Sequence, residues 1–134
     1  MSLKHLNAPD AAPAPPGARY SHAVMAGPFL YVTGQLPADP DDMAAPLPEG
    51  IEAQTRLVFK NLRRIVAHCG YALADTVFAR VYLTDFKADY PGMNAVYGEF
   101  FADAATLPGR TTVGVTALAR DARVEIDLVL YRAG

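Results

Sequence analysis

Leu107-Pro108-Gly109-Arg110-Thr111-Thr112-Val113-Gly114-Val115-Thr116 carries the chain from a broken helix into a strand. Pro108-Gly109 ends whatever helix precedes it, so Arg110 opens a new extended element. Its planar fork of donors suits two-pronged capture of a carboxylate. Thr111, Val113 and Val115 share one face of that strand, leaving Arg110, Thr112, Gly114 and Thr116 on the other. Further on, Val124, Ile126, Leu128 and Leu130 alternate as an apolar core face, with Glu125, Asp127, Val129 and Tyr131 opposite. The parity of the two strands predicts that Arg110 and Glu125 both lie on the sheet face away from the helices.

Upstream, Thr76 to Leu83 alternates too, with Val77, Ala79, Val81 and Leu83 on one side and Phe78, Arg80 and Tyr82 on the other. A helix is predicted to start around Asp89 to Pro91, with Pro91 in its first turn and Met93, Val96, Tyr97, Phe100 and Phe101 as its buried stripe. Asn94 sits just off that stripe, facing a cap or a cleft. An earlier, longer helix begins at Ile51, where Ile51, Thr55, Val58, Leu62, Ile65, Val66 and Cys69 recur at steps of three and four, and Gly70 stops it. Its other face carries Glu52, Arg56, Lys60, Arg63 and Arg64, which reads as a solvated face rather than a phosphate site. Cys69 reads as core packing.

Pro37 to Gly50 contains Pro37, Pro40, Pro46 and Pro48 with the acids Asp39, Asp41 and Asp42, so an exposed loop is expected. The acids lack calcium-loop spacing, and no metal site is read there. Before it, Ser21 to Met25 and Phe29 to Thr33 flank the turn residues Gly27-Pro28 and read as a hairpin. Regular structure is expected to begin near Arg19 or Tyr20, after an extended Ala- and Pro-rich arm over residues 1–18.

With 134 residues, 51% hydrophobic and 19% charged, one domain over 1–134 is expected. A net charge of −2 supplies no positive field for nucleic acid or an anionic membrane, and neither is expected as a partner. A single cysteine, no membrane-length apolar run and no signal-peptide core give a soluble, cytoplasmic protein as the expectation. The elements sum to an α+β sandwich in ββαβαββ order, with two helices packed on one face of a mixed sheet. Phe29, Tyr31, Phe78, Tyr82, Val129 and Tyr131, mixed with Arg80, Arg110, Glu125 and Asp127, would then cover the open face. A face that aromatic implies a closed homo-oligomer with sites at subunit boundaries.

The ordered set Gly17-Ala18-Arg19-Tyr20-Ser21-His22-Ala23-Val24, Tyr31-Val32-Thr33-Gly34-Gln35-Leu36-Pro37, Gln54-Thr55, Asn61-Leu62, Asn94-Ala95-Val96-Tyr97, Phe100-Phe101, Pro108-Gly109-Arg110-Thr111-Thr112 and Val124-Glu125-Ile126 resembles the RidA (reactive intermediate deaminase, YjgF) family from Gly17 onward. The resemblance implies a chorismate-mutase-like fold and a homotrimer whose sheets form a barrel, with clefts between subunits. It also implies hydrolysis of enamines and imines such as 2-aminoacrylate to 2-keto acids and ammonia, with no metal or organic cofactor.

Matched residue by residue, Arg110 takes the place of the family's carboxylate-binding arginine; a strand-end salt bridge is the alternative. Glu125 matches the acid that orients or activates water, and an ion pair with Arg80 or Arg110 is its alternative. Tyr20 matches a tyrosine lining the cleft, against simple aromatic packing. Thr33 stands where the family's Ser-Gly-Gln motif has serine, and Asn94 matches a cleft asparagine. Thr112 departs from the pattern, which commonly has cysteine there. Its backbone N–H can still hold a carboxylate, but a thiol-dependent step is lost, and a subgroup with a different preferred substrate is implied. Gly114 and Thr116 leave a small wall that would admit a bulkier side chain. Two other readings stay open: a regulatory protein that binds a small carboxylate without turning it over, and a ribonuclease. Scattered His5, His22 and His68 and the negative charge argue against the latter.

Overall fold

The computed structural model describes residues 2–133. Six strands, β1 (Lys4–Leu6), β2 (Ala23–Ala26), β3 (Phe29–Gln35), β4 (Thr76–Leu83), β5 (Gly109–Gly114) and β6 (Val124–Tyr131), form one sheet in the order β1-β2-β3-β6-β4-β5. Helices α1 (Ile51–His68) and α2 (Phe86–Phe100) cover one face. Every pairing is antiparallel except that of β4 with β5, which α2 connects. A parallel pair needs such a crossover, and it makes β5 an edge strand.

The core forms where the helix stripes meet the alternating strands. Val58, Phe59, Leu62 and Ile65 of α1 and Met93 of α2 are fully buried against Leu30, Val81, Ile126 and Leu130. Phe59 stacks on Phe100 with ring centroids 4.4 Å apart, locking the two helices together. Helix α1 ends as its glycine requires: Gly70 has φ +83°, its N–H bonds the Ala67 carbonyl, and the Tyr71 N–H bonds that of Val66.

Several expectations need correction. The arm contributes β1, whose residues pair with β2 from Lys4↔Met25 to Leu6↔Ala23, so the sheet begins well before Tyr20. Helix α2 starts at Phe86 under an Asp85 cap, which leaves Pro91 inside it. Buried Asp89 instead receives a two-pronged bond from Arg123 at 2.8 and 2.9 Å. In β4 a register shift between Thr76 and Phe78 leaves Val77 exposed and turns Thr76 inward. The basic face of α1 is not simply solvated, because Arg64 and Lys60 bond Asp41 and Arg56 bonds Glu99. The acidic loop is thereby tied to the helix.

Candidate active site: two half-sites on opposite faces of the sheet

Arg110 sits directly beside Ala79 in the parallel β4–β5 register. Ala79 is fully buried beneath the helices, so Arg110 and, two residues on, Thr112 point toward the helix layer. The guanidinium carbon lies 4.7 Å from the centre of the Tyr97 ring, and Nη2 donates to the Tyr90 hydroxyl at 3.2 Å. Both tyrosines come from α2. Asn94, Tyr97, Phe101, Leu107, Pro108 and Arg110 line a hollow between α2 and the start of β5. Within it, Asn94 Oδ1 and the Tyr97 hydroxyl are buried without a hydrogen-bond partner. Among the described residues no carboxylate pairs with Arg110. An unpaired fork beside two unsatisfied polar atoms is what an anionic, hydrogen-bonding ligand would complete.

Glu125 belongs to the other face. It pairs with Tyr82 across β4, and its neighbour Asp127 takes Arg80 at 2.9 Å and the Tyr82 hydroxyl at 3.0 Å. Arg80 is thus committed to Asp127, and Glu125 has no ion-pair partner among the described residues. Room for its carboxylate comes from β3. The register runs from Val32↔Leu128 to Gln35↔Ile126, so Thr33-Gly34 contains one residue more than β6 opposite it. The extra length brings Gly34 against the Glu125 carboxylate, where a Cβ would overlap it. Burial, and secondarily the charge of Asp127, push the Glu125 pKa above the ordinary carboxylate range. Tyr20 is close enough that burial and the Glu125 charge both raise its phenol pKa. Thr33 Oγ1 donates to the Ser21 carbonyl at 2.7 Å, so its proton is spent on the backbone and only its lone pairs remain for a ligand.

The expectation that Arg110 and Glu125 share a face is therefore wrong for the single chain. The structure brings Asn94 and Thr112 to the side of Arg110, and Tyr20 and Thr33 to the side of Glu125. The alternation of Thr111, Val113 and Val115 misleads because β5 is an edge strand whose apolar residues face outward: Val113 is 39% exposed. The open face otherwise carries Phe29, Tyr31, Phe78 and Tyr131 exposed, as anticipated.

Two buried residues hold the arm that precedes Tyr20, and in the sequence they stood out only as members of the ordered resemblance. Buried His22 accepts the Ala8 N–H at Nδ1 and meets the Ala12 carbonyl through Nε2 at 2.7 Å, which assigns the proton to Nε2. Fully buried Asn61 accepts the Ala12 N–H and donates to the Ala38 carbonyl. Together they fasten the arm over the loop that follows β3. Tyr97 and Gly34 likewise stood only inside stretches of that resemblance, Tyr97 because helical spacing reads it as core, and Tyr90 was unmarked.

Such a fold and site define the class as a small α+β protein with an arginine that has no ion-pair partner among the described residues on its edge strand and a part-buried carboxylate on the other face of the sheet. The sequence pattern of the Endoribonuclease L-PSP family matches residues 10–131. The chain is 35% identical to a protein of Acinetobacter baylyi named 3-aminoacrylate deaminase RutC, covering 96% of this chain and 98% of that one. Its structure resembles RidA from an Antarctic Psychrobacter, with TM-score 0.86 and 35% identity over 96% of this chain and 99% of that one. It also resembles E. coli TdcF with bound serine, with TM-score 0.87 and 29% identity over 97% and 99%. The chain belongs to this L-PSP family of RidA and RutC proteins.

Proposed function

We propose that the protein hydrolyses small imines and enamines bearing a carboxylate, of the 2-aminoacrylate type, to 2-keto acids and ammonia. The observation that carries this reading is an unpaired Glu125, packed against Gly34, whose pKa burial raises above the ordinary carboxylate value, so that it is a better proton acceptor than a free carboxylate. Arg110 clamps the substrate carboxylate. Glu125 takes a proton from water as the oxygen adds to the imine carbon. The carbinolamine then collapses, the carbonyl forms, and the amine leaves as ammonia with the proton returned. Orientation supplies most of the acceleration, since free imines already react with water.

One chain keeps the two half-sites apart, so a second copy must bring its Arg110 edge to the Glu125 face. The exposed aromatic face supports the homotrimer with intersubunit clefts implied by the resemblance. The 3-aminoacrylate deaminase relative and the serine-bound TdcF support a small amino- or imino-acid ligand. The family description keeps a ribonuclease reading in view. Against it, the α1 cations Arg56, Lys60 and Arg64 are occupied by acids, and His22 is buried in holding the arm. A binding-only role would leave Glu125 without a task.

The deciding experiment follows ammonia and keto-acid release from enzymatically generated imines for wild type and Arg110→Ala. Wild-type acceleration that Arg110→Ala loses supports the reading. Equal rates for the two proteins would remove it.

A further inference from the structure

A second concavity adjoins the Glu125 half-site. Pro13, Pro16, Tyr20, Leu36, Met43 and Arg120 surround about 250 Å³ of space, and Gly34 forms its inner wall. Gly34 also packs on the Glu125 carboxylate, so the cavity and the carboxylate are neighbours that share this residue. Its walls are chiefly hydrocarbon, and Tyr20 stands at the boundary between the cavity and the carboxylate.

The rim is built at some cost in backbone energy. Arg120 and Asp121 are the only non-glycine residues with positive φ among those described, at 60° and 55°. Consecutive left-handed residues without glycine are strained, and such strain persists where the surroundings over-determine the position. Here it carries Arg120 to the cavity edge, where its guanidinium meets the Ala45 carbonyl at 3.4 Å. On the other side Asn61 and His22 hold Ala12, the first of the arm residues that line the cavity.

Resting on the deaminase reading above, we propose that this cavity is the side-chain subsite, and that the preferred substrates are imines with a branched aliphatic or aromatic side chain rather than 2-aminoacrylate itself. With the carboxylate on Arg110 and the imine carbon beside Glu125, the side chain passes Tyr20 and Gly34 and comes to rest on Leu36 and Met43. An apolar cavity of about 150 Å³ already accommodates benzene, so this one has room for a leucine- or phenylalanine-sized group. A side chain ending in a carboxylate would have to be desolvated against the prolines and Met43.

The test compares imines generated in situ from alanine, leucine and glutamate by amino-acid oxidases, with calorimetric binding of the matching 2-keto acids. Wild type is expected to favour the leucine-derived imine over the alanine-derived one by about tenfold or more in kcat/KM, in keeping with the worth of a few buried methylenes. Met43 is exposed on a loop, so Met43→Asp should fold, and it should collapse that ratio together with the matching ratio of keto-acid affinities. Leu36→Ala gives a second reading, free of added charge. Equal handling of the leucine and alanine compounds, a preference for the glutamate compounds, or ratios unmoved by either variant would overturn the subsite. If no imine is hydrolysed but 4-methyl-2-oxopentanoate binds more tightly than pyruvate in a Met43-dependent way, the subsite stands and catalysis falls. If alanine-derived imine is hydrolysed without side-chain preference, catalysis stands and the subsite falls.

Discussion

Arg110 and Glu125 lie on opposite faces of one sheet: Arg110 is level with buried Ala79 beneath the helices, and Glu125 is level with Tyr82 on the open side. The proposed site, which uses both side chains, therefore needs two chains. Arg110→Ala and Glu125→Gln should each abolish imine hydrolysis alone. Mixed in equal amounts and allowed to exchange subunits, they should regain activity, because about one cleft in four joins an intact arginine to an intact glutamate under random cyclic assembly. No recovery after demonstrated exchange would mean that one chain supplies both residues of a working site.

Gly34 is fixed by the carboxylate it touches. In Gly34→Ala the new methyl overlaps Glu125, so either the β3 bulge or the carboxylate moves. Overpacking of this kind costs about 1–3 kcal/mol. A small displacement of the reacting groups lowers kcat by roughly 10²-fold. Chemical denaturation and steady-state kinetics read the two effects separately, and an unchanged kcat would show that Glu125 position does not matter.

Glu125 also ties activity to pH. Burial and Asp127 raise its pKa, so the folded protein retains a proton that the unfolded chain has released. Stability from this group is fully present below the ordinary carboxylate pKa and declines as pH rises through the raised one. Activity runs the opposite way, falling as the base is protonated on the acid side. Glu125→Gln should lose about 10²–10⁴-fold in rate yet melt higher than wild type at neutral pH. The melting difference should shrink in acid; a difference independent of pH would contradict the assignment.

Asn61 ties the arm that precedes Tyr20 to the loop after β3. Asn61→Ala strands the Ala12 N–H and the Ala38 carbonyl, at about 1–3 kcal/mol for each unsatisfied group. The expected result is a loss of about 3 kcal/mol in unfolding free energy and faster proteolysis within residues 9–18. Unchanged cleavage there would show that the arm is held by other contacts.

Both helices, five of the six strands and the aromatic open face were legible, because the periods of three to four and of two survive wherever one face is buried. Arg110 stood out by its turn and its fork of donors and Asn94 by its place beside the helix stripe, whereas the roles expected of Glu125 and Tyr20 came from the ordered resemblance. What escaped was set by register. Whether Arg110 faces Ala79 or solvent depends on the parallel pairing of β4 with β5, and nothing in the edge strand's own alternation reports it. The bulges at Thr33-Gly34 and at Val77 shift parity by one residue, which a regular two-residue pattern cannot register. The strand Lys4–Leu6 was hidden because three residues among prolines and alanines carry too little pattern to be seen.

That short strand has a practical side. It occupies the outer flank of β2, and Lys4 discourages a further neighbour from adding there. A shortened version of the protein, trimmed to begin after Asn7 because the opening residues look dispensable, would bare the backbone donors and acceptors of β2 along its whole length. Such a product would not be a smaller version of the same protein. It would be a template for ladder growth, and its failure in an expression trial would look like poor solubility while its cause was a missing three-residue cover.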